Sequence, residues 1–422
     1  MSLTTVTILM FVGLFLLMTT GHAIAFILGA LGIGFALWLW GPPALDMLYF
    51  ATTNTMGSFI LIAIPLFLFM GIVLQESGIA EDLFGTIYSW AGGLRGGLGI
   101  GTIVICTIIA AMVGITGAAT VTMGIIALPA MLKRGYDKEI AVGLIMAGGA
   151  LGFLIPPSVI MIMYAFISGV SVGRLFAGGV FPGLMLSTMY MIYIGVRCYF
   201  QPWMGPALPP EERAPLKTKI ISLKAIVLPV ILIGVVLGFI FLGVTSPTEA
   251  SAMGALGAMI CAAIHRRLNW ALIKNSALTT LRVSGMTFWI IIMAVTFSKV
   301  YAGLGAADMM RSLMAGLAIG RWGVLIIIQL SLFIFGMFLD DFAILLVIMP
   351  VYIPIAVSMN FNPVWFAILY VVNMQMAYLT PPYGFNLFYM RAVAPPEITM
   401  ADIYRSVTVS YTHLTLPTKR IV

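Results

Sequence analysis

Charged side chains are rare in this sequence, since Asp, Glu, Lys and Arg together make up 8% of its 422 residues. A soluble domain carries about 25%. Apolar residues account for 62% of the chain, and its mean hydropathy is +1.12. Many apolar runs approach the roughly 20 residues that a helix needs to cross a bilayer. These values exclude a soluble globular protein and predict an all-α polytopic membrane protein.

Cysteine and histidine are also scarce, with three of each. Cys106, Cys198 and Cys261 lie in separate apolar segments, and neither CxxC nor Cys/His spacing occurs. The sequence therefore predicts no disulfide framework, no transition-metal site and no cofactor. A membrane-embedded enzyme would need His, Cys or paired carboxylates that converge inside the spans, and only Asp340 with Asp341 meets that requirement. We therefore expect a protein that is not an enzyme.

The second half of the chain resembles the first when the sequence is shifted by 225 positions, so that residue 156 aligns with residue 381. At this shift GALG at 29–32 falls on GALG at 254–257, and the Pro-Pro pair at 156–157 falls on the pair at 381–382. Matches of Gly, Ala and Leu are common by chance in membrane proteins, so the aligned prolines are the main evidence for a repeat. The sequence predicts a duplicated fold with a first repeat at 1–200, a linker at 201–223 and a second repeat at 224–409.

Each repeat contains the same predicted series of spans, an amphipathic arm, a re-entrant hairpin and a broken helix. In the first repeat these are Thr5–Met18, His22–Trp40 and Met56–Leu74, the arm Glu81–Trp90, the hairpin at about 98–132, the broken helix at about 139–167 and a last span Val180–Tyr199. In the second they are Lys224–Leu242, Glu249–His265 and Gly285–Gly303, the arm Asp308–Ala318, the hairpin at about 322–354 and the broken helix at about 364–390.

An odd number of crossings in the first repeat gives the second repeat the opposite orientation in the membrane, which is the inverted-topology arrangement of many secondary transporters. The basic loops at 133–138, 213–224 and 266–274 all fall on one side. The opposite loops, predicted at Gly41–Thr55, Gly169–Gly179 and Gly243–Pro247, hold only Arg174. Because cytoplasmic loops are rich in Lys and Arg, this pattern predicts a cytoplasmic linker and a periplasmic N-terminus. It also accounts for the net charge of +7.

The C-terminal residues depart from the repeat. By analogy with the first repeat, a last span is expected to begin near position 408, but residues 410–422 read SYTHLTLPTKRIV, which is polar and non-periodic. We interpret 410–422 as an appended foreign tail and expect the last transmembrane span to be missing.

The interrupted segments are the strongest candidates for a functional site. A helix broken at membrane depth frees carbonyl and amide groups, and only protein or a wet cavity can satisfy them. In the first repeat Gly114 and Gly117 suit a hairpin tip, with Thr116 and Thr120 as further oxygen donors. The prolines of Ile155–Ser158 must break the following span. Unwound carbonyls are ready ligands for a cation, and half-helix N-termini favour an anion.

The second repeat has a matching tip at Gly336–Asp341 and a matching break at Ala377–Tyr383. Asp340 and Asp341 are notable there, because carboxylates inside a membrane are expensive and usually functional. Either residue is a candidate cation ligand, and capping of a half-helix is the alternative explanation. Glu249 lies in TSPTEA, where a helix N-cap explains the pattern without a further role.

The motifs GITGAAT, LPAMLKRGYDKE, GALGFLIPPS, TSPTEA, FLDD and TPPYG, in this order and spacing, resemble the large membrane subunit of tripartite ATP-independent periplasmic (TRAP) transporters. The resemblance runs from about residue 5 to about 409. It departs from the family at the first tip, where a serine-rich sequence is more usual, and at the last span.

The resemblance implies an elevator-type importer of the bacterial inner membrane that couples uptake of a small organic acid to sodium. It also implies two partners, which are a periplasmic substrate-binding protein and a small four-helix membrane subunit. Carried over residue by residue, a first sodium site falls on Gly114, Gly117, Gly152, Pro156 and Ser158, and a second on Gly336, Asp340, Ala377, Thr380 and Tyr383. The substrate is expected between them, close to Thr116, Thr120 and Asp341.

The main alternative is a single-component dicarboxylate/sodium symporter of related architecture, which needs no partner. The two amphipathic arms and the presence of a small membrane subunit distinguish the tripartite system from it. A passive channel is disfavoured, because nothing in the sequence suggests rings of like polar residues along a pore.

Overall fold

The computed structural model describes residues 3–91, 93–209, 214–305 and 320–414, and all regular structure within these ranges is helical. Seven helices in these ranges are long and apolar enough to cross a membrane, and six shorter apolar helices accompany them. The predicted all-α membrane fold is confirmed. The predicted second arm, Asp308–Ala318, lies outside the described residues.

The described part of the first repeat contains ten α-helices. They are α1 (Leu3–Met18), α2 (Ile24–Trp40), α3 (Ala44–Met56), α4 (Ala63–Glu76), α5 (Ile79–Trp90), α6 (Gly97–Val113), α7 (Thr116–Lys133), α8 (Lys138–Ala150), α9 (Val159–Ser168) and α10 (Val172–Phe200). Helices α6 and α7 form the first hairpin. Helices α8 and α9 are the two halves of the first broken helix.

The linker contains α11 (Leu216–Ser222). The second repeat follows with α12 (Lys224–Phe241), α13 (Pro247–Ile264), α14 (Trp270–Gly303), α15 (Arg321–Gly336), α16 (Asp341–Ser358), α17 (Pro363–Leu379), α18 (Phe385–Val393) and α19 (Met400–Leu414). Helices α15 and α16 form the second hairpin, and α17 and α18 are the halves of the second broken helix. Within α16, Ile344–Ile348 is π-helical.

Four elements differ from the sequence-based expectation. The segment Gly41–Thr55, expected to be a loop, is mostly the helix α3, which carries Asp46 in its first turn where the helix dipole favours an acid. A 3₁₀ turn at Phe59–Ile62 separates α3 from α4, so no continuous span begins at Met56. Helices α10 and α14 begin earlier than the spans expected at 180 and 285, because no proline lies at 172–179 or at 270–284.

Glycines allow the long helices to pack closely. Gly254 of α13 faces Met70 of α4, where a Cβ atom would lie 2.6 Å from the methionine sulfur. Gly32 of α2 faces α14, where a Cβ atom on this glycine would lie 3.2 Å from the backbone of Phe297. Small residues at such crossings let membrane helices gain van der Waals contact where lipid supplies no hydrophobic driving force. Helices α2, α4, α13 and α14 therefore form one closely packed group.

The arm α5 joins the linker to the first hairpin. The Thr86 hydroxyl donates to the carbonyl of Ser222 at 2.8 Å, and the Trp90 indole donates to the carbonyl of Lys219 at 3.0 Å. On its other side Tyr88 accepts a hydrogen bond from Arg134 at the base of the hairpin. The arm thus lies at one membrane surface, between the hairpin and the linker helix.

The C-terminal helix α19 begins with a cap and packs on α8. The hydroxyl and the N–H of Thr399 both donate to the Asp402 carboxylate, at 2.7 and 2.8 Å, which holds the pKa of that carboxyl below its usual value. Residues 410–414 of the predicted tail continue this helix, and 415–422 lie outside the described residues.

The TSPTEA motif forms a capping box at the start of α13. Ser246 accepts from the N–H of Glu249 at 3.2 Å, and the Glu249 carboxylate accepts from the N–H of Ser246 at 2.7 Å. The hydroxyl of Thr248 donates to the carbonyl of Phe59 at 3.2 Å and ties this helix start to the turn before α4. Capping therefore accounts for Glu249.

We predict that Ser246→Ala destabilises the protein by about 1 kcal/mol, because one N-terminal amide of α13 loses its partner. The matched control is Ser171→Ala, since Ser171 is the N-cap of α10 but makes no side-chain capping bond. Thermal unfolding of the detergent-solubilised variants measures both effects. Equal shifts in Tm for the two variants would contradict the importance of the cap.

Candidate functional site

The tip of the first hairpin lies directly on the first helix break. Helix α6 ends at Val113, and Gly114 adopts a φ of +68° that L-residues with a side chain disfavour. The carbonyl of Gly114 accepts a hydrogen bond from the N–H of Val159, the first residue of α9, at 3.2 Å. A Cβ atom on Gly114 would overlap the carbonyl oxygen of Pro157. Glycine is therefore required at this position.

The break itself is irregular from Leu154 to Ser158, after a 3₁₀ turn at Leu151–Phe153. The buried hydroxyl of Ser158 donates to the carbonyl of Phe153 at 2.7 Å. Gly152 lies under the tip, where a Cβ atom would stand 3.0 Å from the carbonyl carbon of Ile115. The fold thus brings Gly114, Gly152 and Ser158 to one junction.

Gly117 is placed differently from the sequence-based expectation of a tip that extends to this residue. Helix α7 already begins at Thr116, so Gly117 lies in its first turn. A Cβ atom there would stand 2.7 Å from the ring of Tyr389 in α18. Gly117 therefore provides space for the half-helix that follows the second break.

The second hairpin makes a matching junction with the second break. Helix α15 ends at Gly336, which approaches Ala377 of α17 so closely that a Cβ atom would overlap its side chain. Two carboxylates follow at the tip. The Asp340 side chain caps α16 by accepting from the N–H of Ala343 at 2.8 Å. Asp341 is 6% exposed and accepts from the hydroxyl of Tyr378 at 2.5 Å.

The other two predicted members of the second site have different surroundings. The Thr380 hydroxyl donates to the carbonyl of Met376 in its own helix at 2.7 Å. The Tyr383 side chain is 55% exposed, and its ring lies between those of Phe338 and Phe388, with centroids 6.3 and 6.4 Å away. Tyr383 lines a largely apolar cavity of about 580 Å³ that reaches Phe15 and Gly21 at the end of α1.

Side chains that the sequence analysis missed connect the two junctions. Asn386, buried in the first turn of α18, accepts from the hydroxyl of Thr120 at 2.6 Å and donates to the carbonyl of Met146 in α8 at 2.7 Å. The rings of Phe153 and Tyr378 meet edge to face at 4.7 Å. An amide within an apolar half-helix, directly after TPPYG, was the available sequence signal for Asn386.

The two junctions offer oxygen atoms and helix ends to a bound ion. Each junction holds unwound backbone at the end of a half-helix, and the second adds two carboxylates. Helices α9 and α18 begin at the breaks, so their positive ends lie close to the junctions. Oxygen ligands suit a hard monovalent cation, and the helix N-termini and threonine hydroxyls suit an anionic substrate.

Comparison with known proteins places the chain among transporter subunits. The family model for the DctM component of tripartite ATP-independent periplasmic transporters matches residues 11–417. The C4-dicarboxylate TRAP transporter large permease protein of Pseudomonas aeruginosa is 33% identical over 356 residues, which cover 84% of this chain and 82% of that protein. The corresponding protein of Rhodobacter capsulatus is 32% identical over 401 residues, which cover 91% and 89%.

A solved structure shares the fold. The YdaH transporter of Alcanivorax borkumensis superimposes with a TM-score of 0.64 over 89% of this chain and 86% of that chain, at 14% sequence identity. At that level of identity the likeness concerns the fold alone. It agrees with the predicted all-α membrane fold.

We predict that Gly114→Ala destabilises the protein by about 1–2 kcal/mol from backbone strain alone, with a further loss from the clash with Pro157. Gly34→Ala is the control, because Gly34 lies in α2 with no atom within 4 Å of an added Cβ. That change should be neutral or slightly stabilising. Thermal unfolding in detergent distinguishes the two, and a Gly114→Ala variant as stable as Gly34→Ala would contradict the close contact at the tip.

We also predict that Thr120 and Asn386 are energetically coupled. In a double-mutant cycle with Thr120→Val and Asn386→Leu, the interaction energy should be about 1 kcal/mol, as for a buried hydrogen bond. The control cycle pairs Thr120→Val with Asn373→Leu, because Asn373 bonds to Gln329 in the second hairpin instead. Additive losses in the first cycle would show that the bond between the repeats contributes nothing.

Proposed function

The chain belongs to the DctM component family of TRAP transporters, and from that premise we propose that it carries a small organic acid across the bacterial inner membrane in symport with sodium. The observation that supports this most directly is the pair of junctions, each of which places a hairpin tip against a broken helix. The match over residues 11–417 favours this tripartite system over a single-component symporter.

The proposed sodium sites are the two junctions. The first comprises Gly114, Gly117, Gly152, Pro156 and Ser158, and the second comprises Gly336, Asp340, Ala377, Thr380 and Tyr383. Backbone carbonyls supply most ligands in the first site, whereas the Asp340 carboxylate adds a negative charge in the second. Tyr383 contributes through its backbone, since its ring packs between Phe338 and Phe388.

The proposed substrate is a carboxylate that binds between the two sites. Relatives named for C4-dicarboxylates support an organic acid. Thr116 and Thr120 offer hydroxyls near the positive ends of α9 and α18, which would stabilise an anion. Asp341 is the remaining charged group nearby, and its hydrogen bond to Tyr378 holds it in place.

The cavity beside Tyr383 supports an elevator mechanism with the site facing inwards. It extends from the second hairpin tip to the end of α1 at Met18–Gly21. With the N-terminus in the periplasm, as the loop charges indicate, that end of α1 lies on the cytoplasmic side. Delivery from the periplasm would then require a binding protein and a rearrangement that closes this cavity. The small four-helix subunit would support the helices that stay in place during this rearrangement.

We predict that Asp340→Asn raises the sodium concentration for half-maximal uptake about tenfold, because the variant loses the charge but keeps an N-cap side chain for α16. Uptake is measured in proteoliposomes that contain the chain, its small membrane subunit and the binding protein, with sodium replaced stepwise by potassium.

The control is Asp402→Asn, which changes a similar cap at the start of α19 outside the proposed sites. It should leave the sodium dependence unchanged. Equal uptake in sodium and potassium by the unmodified system would refute sodium coupling, and an unchanged half-maximal concentration for Asp340→Asn would remove that carboxylate from the site.

A further inference from the structure

A polar cavity of about 850 Å³, separate from the transport site, opens where α4 ends and α13 turns into α14. Its walls include Glu76, Glu81, Arg266, Arg267, Asn269 and Asn275. The junctions at the hairpin tips share none of these residues. The proposed function does not explain why four charged side chains gather at this point.

The charges are divided between two opposite walls. Glu76 and Glu81 belong to α4 and α5, whereas Arg266 and Arg267 belong to the turn between α13 and α14. Arg267 crosses the gap, with hydrogen bonds to the carbonyl of Ser77 at 2.7 Å and an ion pair with Asp82 at 3.0 Å. Arg267 therefore ties the turn between α13 and α14 to the start of α5.

Among the described residues, two charged side chains at this cavity, Arg266 and Glu81, have no bonded partner, and Glu76 has one. Glu76 accepts from the hydroxyl of Ser276 at 3.0 Å. The side chains of Arg266 and Glu81 have no hydrogen-bond or ion-pair partner among the described residues. They carry opposite charges on opposite walls, so a ligand that complements both must carry an anionic group and a cationic group.

The anionic group has a second source of attraction on the arginine wall. Ala271 and Leu272, in the first turn of α14, line the cavity, and Asn269 caps that helix by accepting from the N–H of Leu272 at 2.8 Å. The positive end of a 34-residue helix thus lies beside Arg266. Phosphate oxygens suit this wall, and an ammonium group suits the glutamates opposite.

The position of the cavity indicates which molecule carries both groups. Three candidate membrane spans, Phe59–Glu76, Pro247–Ile264 and Trp270–Gly303, all have an end here. Trp270 is 76% exposed beside the cavity, as expected of an aromatic residue at the level of the lipid headgroups. The cavity therefore lies where phospholipid headgroups surround the protein.

We propose that this cavity is a binding site for one phospholipid whose headgroup carries both a phosphate and a primary ammonium group, as in phosphatidylethanolamine. The phosphate binds Arg266 and the first turn of α14, and the ammonium group donates to Glu81 and Glu76. The lipid thereby joins the end of α4 to the start of α14 and stabilises the closely packed group of α2, α4, α13 and α14. This proposal does not depend on sodium coupling.

The test titrates the delipidated full chain with lipids of identical acyl chains and measures bound lipid by native mass spectrometry. Phosphatidylethanolamine should bind about tenfold more tightly than phosphatidylcholine, which cannot donate from its quaternary ammonium, and more tightly than phosphatidylglycerol, which has no cation. Equal affinity for the three lipids would overturn the proposal. Soluble phosphoethanolamine that binds as tightly as the lipid would also overturn it.

Variants locate the site. Arg266→Gln and Glu81→Gln should each weaken phosphatidylethanolamine binding about tenfold, and Arg266→Lys should retain most of it. Arg95→Gln is the control, since Arg95 is exposed and does not line this cavity. Each variant is first checked for an unchanged Tm in detergent without added lipid, so that misfolding is not read as lost binding. Affinity that falls equally in Arg95→Gln, or that survives in both cavity variants, would contradict the assignment.

Discussion

The structure depends on how backbone groups freed by helix breaks inside a membrane find partners. At the first break the carbonyl of Gly114 accepts a hydrogen bond from the N–H of Val159. The hydroxyl of Ser158 donates a hydrogen bond to the carbonyl of Phe153. These contacts require a hairpin tip without a side chain and a break without regular turns. Lipid offers no hydrogen bonds, so neither the tip nor the break is stable at this depth without the other.

The two junctions use different chemical groups as partners for the freed backbone. The first relies on backbone, glycine and one serine hydroxyl. The second adds Asp340 and Asp341, and each carboxylate already has a hydrogen-bond donor, Ala343 and Tyr378 respectively. Asn386 then links the half-helix after the second break to both the hairpin and the broken helix of the first repeat. A short hydrogen-bonded path therefore connects the second break to the hairpin and the broken helix of the first repeat.

The sequence predicted the breaks and tips well, because Pro-Pro pairs and glycines act locally and recur at the same positions of a repeat. It did not predict the role of Asn386, whose hydrogen-bond partner Thr120 is 266 positions away. It also did not predict the edge-to-face contact between the rings of Tyr378 and Phe153. Such pairs depend on how the repeats pack against each other, which hydropathy does not encode. Tyr383 was expected in the second site, and the packing of its ring between Phe338 and Phe388, beside the adjacent cavity, could not be read from the sequence.

The proposed function requires that both junctions bind the coupling cation. Hydrogen–deuterium exchange of the purified chain, measured in sodium and in potassium at equal ionic strength, tests this binding. We predict that sodium slows exchange of the amides at 112–120 and 151–159 and at 336–343 and 377–386. Exchange in the arm α5 and in the group formed by α2, α4, α13 and α14 should be the same in both salts. Identical exchange in the two salts at both junctions would contradict cation binding there.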